Sequence, residues 1–94
     1  GKTKETHPKF YPIDKKIKSF NLNCLEVKDG HNLKELLVKC KKILKTKNKK
    51  PSFVICNTIK GKSVSFMENK PIWHYRSPTT EEYKIAINEV ANEK

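Results

Sequence analysis

A chain of 94 residues, 35% hydrophobic and 33% charged, has room for one domain at most and hides only about 65% of the surface its unfolded form exposes. Its core must be thin, which excludes a deep active site walled by this chain alone and points to a piece of something larger. No apolar run approaches the roughly 20 residues that span a bilayer, and Gly1-Lys2-Thr3-Lys4-Glu5 lacks the apolar centre of a signal peptide, so a cytoplasmic protein with no membrane contact is expected.

Residues 1–9 are polar and read as extended, with Pro8 and Pro12 interrupting any helix before Ile13. Ile13, Ile17 and Phe20 then fall at helical spacing, which predicts a short amphipathic helix from Asp14 to Phe20. The run Asn21-Leu22-Asn23-Cys24-Leu25-Glu26-Val27 reads as a strand closed by the turn residues Lys28-Asp29-Gly30. Leu33, Leu36, Leu37, Cys40, Ile43 and Leu44 next keep one face of a helix, with lysines on the other and Asn32 as N-cap.

The polar break Thr46-Lys47-Asn48-Lys49-Lys50-Pro51 ends that helix and leads into Ser52-Phe53-Val54-Ile55-Cys56-Asn57. Such a continuous apolar run is expected of a parallel strand covered on both faces. Strand, helix and strand in this order make a right-handed crossover. Residues 58–76 follow as a long irregular loop carrying Phe66, Met67, Ile72, Trp73 and Tyr75, too apolar for a disordered tail. A last helix opens at Ser77-Pro78-Thr79-Thr80-Glu81-Glu82, where Thr79 and Glu82 have capping-box spacing, and continues with Tyr83, Ala86, Ile87 and Val90 as its apolar stripe. The fold class is therefore α/β: a partial parallel sheet with a β-α-β crossover, a short helix before it and a helix at its C-terminal end, all within a single incomplete domain over residues 1–94.

The net charge of +11 raises nucleic-acid binding, since lysines that displace counterions from phosphates bind polyanions without regard to sequence. Only Arg76 among the 21 basic residues is arginine, however, and the lysines are interleaved with asparagine rather than gathered in a groove, so nucleic acid is not the expected partner. Cys24, Cys40 and Cys56 have no paired spacing and read as small buried hydrophobes, not as a metal or redox site.

In open α/β sheets ligands bind outside the carboxyl ends of the strands. Two loops lie there. Asp29-Gly30-His31-Asn32 enters a helix whose free N–H groups favour an anion. Lys60-Gly61-Lys62 follows the second strand, and a histidine, His74, comes later in the same loop; these are suitable parts for holding a phosphate. Asp29 and Glu68 are expected to stabilise turn and loop, His31 to make a local hydrogen bond at the helix entry, Trp73 to plug the loop onto the core, and His7 to play no part.

The string Thr58-Ile59-Lys60-Gly61-Lys62-Ser63-Val64-Ser65-Phe66-Met67-Glu68-Asn69, followed by Trp73-His74 and Glu81-Glu82-Tyr83, resembles the C-terminal part of the diphosphate-binding domain of transketolase, in the form found as a separate N-terminal subunit in prokaryotes. Glu26-Val27-Lys28-Asp29-Gly30-His31-Asn32 is similar to that family's strand-and-helix junction, and Gly1-Lys2-Thr3 to the segment past its metal-binding asparagine. The resemblance implies a thiamine diphosphate enzyme that transfers two-carbon ketol units between sugar phosphates. It implies His74 as the catalytic and cofactor-facing imidazole, with Lys60 and Gly61 beside the cofactor. Glycine is usual in the family where Ser63 stands, and a small residue where Tyr75 stands, which leaves the sugar open.

The family's Gly-Asp-Gly motif and downstream asparagine, which hold Mg2+, have no counterpart here, and the glutamate that activates the cofactor belongs to another domain. The resemblance thus implies that the 94 residues alone are inactive and that the rest of a transketolase, including its pyrimidine-binding domain or subunit, is the partner. An uncovered sheet edge and apolar face would then favour self-association. A non-catalytic α/β interaction module and a basic nucleic-acid-binding domain stand as alternatives.

Overall fold

A computed structural model of the chain describes residues 2–93. Its contacts group into two compact units, Thr3–Thr58 and, with Lys2, residues 59–93. In the first, α2 (Ile13–Ser19) packs on β1 (Asn23–Val27), and α3 (Leu33–Leu44) connects β1 to β2 (Ser52–Cys56) and packs on both strands. The strands pair in parallel with Asn23 opposite Ser52 and Val27 opposite Cys56. The α/β architecture with a parallel β-α-β unit, a preceding helix and a C-terminal helix is thus the one read from the sequence.

Local chemistry explains the boundaries. Asn32 Oδ1 accepts from the N–H groups of Lys34 and Glu35, which are without partners in the first helical turn, and so starts α3. At the opposite end of the sheet, Asn23 and Asn48 exchange two amide hydrogen bonds of 2.8 Å, which fix the chain's return into β2. Val27 is fully buried and Cys24 nearly so; burial pushes the Cys24 thiol up, leaving it an inert packing group.

Four sequence expectations fail here. Thr3–Thr6 forms one short helix, α1, and Pro8–Phe10 a 3-10 turn, so the N-terminal stretch is not extended; Pro8 opens its turn because a missing N–H costs nothing there. β1 begins at Asn23, since Asn21 turns the chain with φ 63°. Cys40 and Cys56 are exposed, not buried. β2 is not covered on both faces: Phe53 is 42% exposed and Cys56, at the end of the strand, is exposed as well. The apolar run records a layer that α3 alone does not supply. Leu33, Leu37 and Leu44 on α3 remain exposed for the same reason.

In the second unit the long loop is a ladder of turns. Lys62 N–H donates to the Ile59 carbonyl, Val64 to Gly61, Met67 to Val64 and Lys70 to Met67, after which Pro71–His74 forms a 3-10 helix. The helix α4 (Thr80–Ala91) starts at the expected capping box, Thr79 accepting from Glu82 N and Glu82 from Thr79 N. Val64 and Ala86 are the buried apolar residues of this unit. No helix among the described residues is long and apolar enough to cross a membrane.

Candidate functional site

Gly30 lies where the two strands end. Its N–H donates to the Asn57 carbonyl at 2.7 Å, and a Cβ there would stand 2.8 Å from that oxygen and 2.7 Å from Thr58 Cγ2. Asn57 in turn donates from N to the Val27 carbonyl and from Nδ2 to Glu26. The ends of β1 and β2 are thereby bolted to the turn that enters α3.

That turn is not the anion site its position suggests. Glu35 reaches back from the first turn of α3 to accept from Lys28 N at 2.7 Å and Asp29 N at 3.1 Å. Asp29 Oδ1 takes His31 N, the Asp29 carbonyl takes Asn32 N, and Asn32 takes Lys34 and Glu35. All but one of the backbone donors from Lys28 to Leu36 already serve the chain's own oxygens, the Leu33 N–H being the exception, and Glu35 brings a negative charge to the same place. Glu35 stands three residues after the N-cap Asn32 yet does not close a capping box: it reaches past Asn32, whose N–H goes to the Asp29 carbonyl, to Lys28 and Asp29, a bond that no local spacing announces. Asp29 does stabilise the turn as expected.

The second unit presents its cations differently. Gly61 has φ 75°, and a Cβ on it would meet the Met67 carbonyl oxygen at 2.6 Å; glycine is required both for the turn and for the close approach. Asn69 N donates to the Lys60 carbonyl at 2.9 Å, so residues 60–69 close into a compact ring. Within it, Ser63 adopts φ 80° with its N–H on Glu68 Oε1 at 3.1 Å, the loop-stabilising role expected of Glu68. Ser65 donates from N and Oγ to the two oxygens of Glu89 on α4, holding that carboxyl below its usual range.

From this ring the chain passes to Trp73, whose Nε1 donates to the Phe66 carbonyl at 3.1 Å and whose ring lies 5.4 Å from that of Phe66. Trp73 thus closes the loop on itself through Phe66, rather than onto the core as the sequence suggested. His74 follows it with an exposed imidazole, edge-on to the Tyr75 ring at 5.1 Å. Lys60, Lys62 and His74 are exposed, and none of them makes an ion pair among the described residues. Two ammonium groups and an imidazole that can donate to oxyanions suit a diphosphate. They do not suit magnesium, and no group of three or more His, Cys, Asp or Glu residues that could hold a metal occurs among the described residues.

The comparison with known proteins bears directly on this loop. The chain is 34% identical over 82 residues to an apulose-4-phosphate transketolase subunit of Actinobacillus succinogenes, covering 87% of this chain and 29% of that protein. It is 37% identical over 93 residues to the 6-deoxy-6-sulfo-D-fructose transketolase subunit SqwG of a Clostridium species, covering 99% and 33%. The chain is a relative of transketolase subunits. A further apulose-4-phosphate transketolase subunit, from Phocaeicola vulgatus, is 38% identical over 73 residues, 78% of this chain and 25% of its own length. The chain spans a third or less of the length of these curated relatives. No protein-family model matches it.

Proposed function

We propose that the 94 residues form the C-terminal portion of a single thiamine diphosphate-binding domain in a cytoplasmic transketolase-like enzyme that moves two-carbon ketol units between sugar phosphates. The observation that carries the reading is the likeness to transketolase subunits along 78–99% of the chain, which in the match over 99% takes in the Lys60–His74 loop. The bound cofactor would supply the carbanion chemistry of ketol transfer. Lys60 and Lys62 hold the diphosphate oxygens by charge, Gly61 lets the turn fold tightly enough to place Lys60, and His74 donates to an oxyanion or exchanges a proton with a reacting hydroxyl. Tyr75, whose ring meets that of His74 edge-on, narrows the approach to it and bears on which sugar fits.

The named substrates of the relatives carry a phosphate in one case and a sulfo group in another. A donor sugar with an anionic end therefore heads the panel to be assayed. Partners are the remainder of the transketolase, which supplies the magnesium ligands and the pyrimidine-binding part. The exposed Phe53, Leu33, Leu37 and Leu44 support such a cover, and in its absence they support self-association.

The test has two arms. In the assembled enzyme, His74→Ala should lower kcat about a hundredfold, the scale of a lost general acid or base, and undiminished turnover would end the assignment. The 94 residues alone should show no ketol transfer and no micromolar binding of thiamine diphosphate with magnesium by calorimetry; heat of binding at that affinity would refute the division of labour proposed here.

A further inference from the structure

His74 itself has the Tyr75 edge as its ring contact, and no hydrogen bond or ion pair holds its imidazole among the described residues. What precedes it is held on several sides. The Arg76 guanidinium lies over the Trp73 ring, 4.1 Å from its centroid, while Trp73 Nε1 is tied to the Phe66 carbonyl and its ring is tilted against Phe66. Arg76 does not float there: both of its terminal nitrogens donate to the carboxylate of Glu82, Nη1 at 3.2 Å, and the same carboxylate accepts Thr79 N in the capping box of α4. The Glu82 carboxyl is accordingly held down to about 2, first by the Arg76 hydrogen bond. A continuous series of contacts therefore runs from the start of α4 through Glu82, Arg76 and Trp73 to the residue bonded to His74.

We propose that Arg76 and Glu82 are positioning residues for His74, acting through Trp73; the inference rests on the catalytic reading of His74 given above. A planar fork is needed for the task. Guanidinium can lie flat on an indole while meeting a carboxylate with two parallel N–H groups, whereas an ammonium can do only one of these well. The sole arginine among the chain's basic residues stands where that geometry is used.

Arg76→Ala, Arg76→Lys and Glu82→Gln separate positioning from mere stabilisation. Glutamine keeps the capping box and lysine keeps the charge, so these two variants carry the test even where Arg76→Ala folds poorly. In the assembled enzyme, Arg76→Lys should lower kcat about tenfold with KM for the donor sugar within about twofold, part of what a misplaced catalytic group costs. Glu82→Gln should fall in between. In the full chain, the carbon-bound ring protons of His74 should shift in the NMR spectrum of Arg76→Lys while those of His7 stay in place, a change that simple loss of stability in a folded sample does not produce. Unmoved His74 signals and unchanged kcat in Arg76→Lys, in an enzyme still crippled by His74→Ala, overturn the positioning role alone. A harmless His74→Ala overturns the catalytic reading, and the positioning role with it.

Discussion

Gly30 and Gly61, one in each compact unit, are equally short of room, yet what surrounds them differs. Around Gly30 nearly every neighbouring donor is matched: Asn57, Asp29, Asn32 and Glu35 take up the N–H groups from Lys28 to the first turn of α3, apart from that of Leu33. Around Gly61 the backbone is just as closely folded, but Lys60 and Lys62 flank it exposed, with no ion-pair partner among the described residues, as is His74 further along, at the end of the 3-10 helix. Tight turns thus serve two ends in one chain. The first fastens a crossover, and the second, in the function proposed above, is a mount from which Lys60 and Lys62 would reach an anion.

The comparison breaks most readily at Gly61. Alanine there must adopt a left-handed conformation and also displace the Met67 carbonyl, a backbone atom with no rotamer to change. Strain and overlap together should cost about 3 kcal/mol or more, read as a fall in urea midpoint. A cost near zero would mean that the loop is no mount at all. Gly30→Ala should cost somewhat less, about 2 kcal/mol, because its nearest contact is the Thr58 methyl, which can rotate, while the Asn57 carbonyl cannot. If Gly30→Ala proved the worse of the two, the crossover rather than the loop would be the stiffer element.

A smaller, acid-selective effect belongs to residues 59–93. Glu82 is depressed to about 2 by Arg76 and Thr79, and Glu89 is depressed by Ser65. A carboxyl whose folded pKa lies below its unfolded value of about 4.3 adds stability that is complete above that value and is lost as pH falls through the folded one. Thermal melts should therefore show this unit weakening from about pH 4.5 down to about pH 2, with Glu82→Gln flattening the decline. The carboxylates are accessible to solvent, so added salt should shrink the effect. A decline of the same size in Glu82→Gln would show that other acids govern it.

Much of this was legible because capping and periodicity are local. Asn32 and Thr79 start their helices as N-caps, Thr79 in the expected capping box with Glu82, and β1 and β2 pair in parallel around α3. Reading the run 52–57 as a doubly covered strand failed for a physical reason: an apolar sequence reports what a strand is suited to pack against, not whether that layer lies in the same chain. Cys40 was misjudged by the same step, from helix stripe to burial. The loop was legible in its residues, through the resemblance of Lys60-Gly61 and Trp73-His74, but not in its internal bonds. Ser65 to Glu89 joins groups 24 positions apart and leaves no periodic trace.

Ser63 gives the finest probe of the mount. It holds φ 80° without being glycine, in a position where transketolases of the resembled form usually have one. A left-handed serine costs about 1–2 kcal/mol, whereas glycine pays instead with freedom lost on folding, up to about 1 kcal/mol. The bond that fixes this residue runs from its backbone N–H to Glu68, so it survives removal of the side chain. Ser63→Gly should accordingly stabilise the protein by about 0.5 kcal/mol, seen as a small rise in urea midpoint with unchanged slope. A loss of stability would instead mean that the freed loop abandons the left-handed turn, and that serine, by restricting the unfolded chain, contributes more to the rigidity of the Lys60 mount than the strain removes.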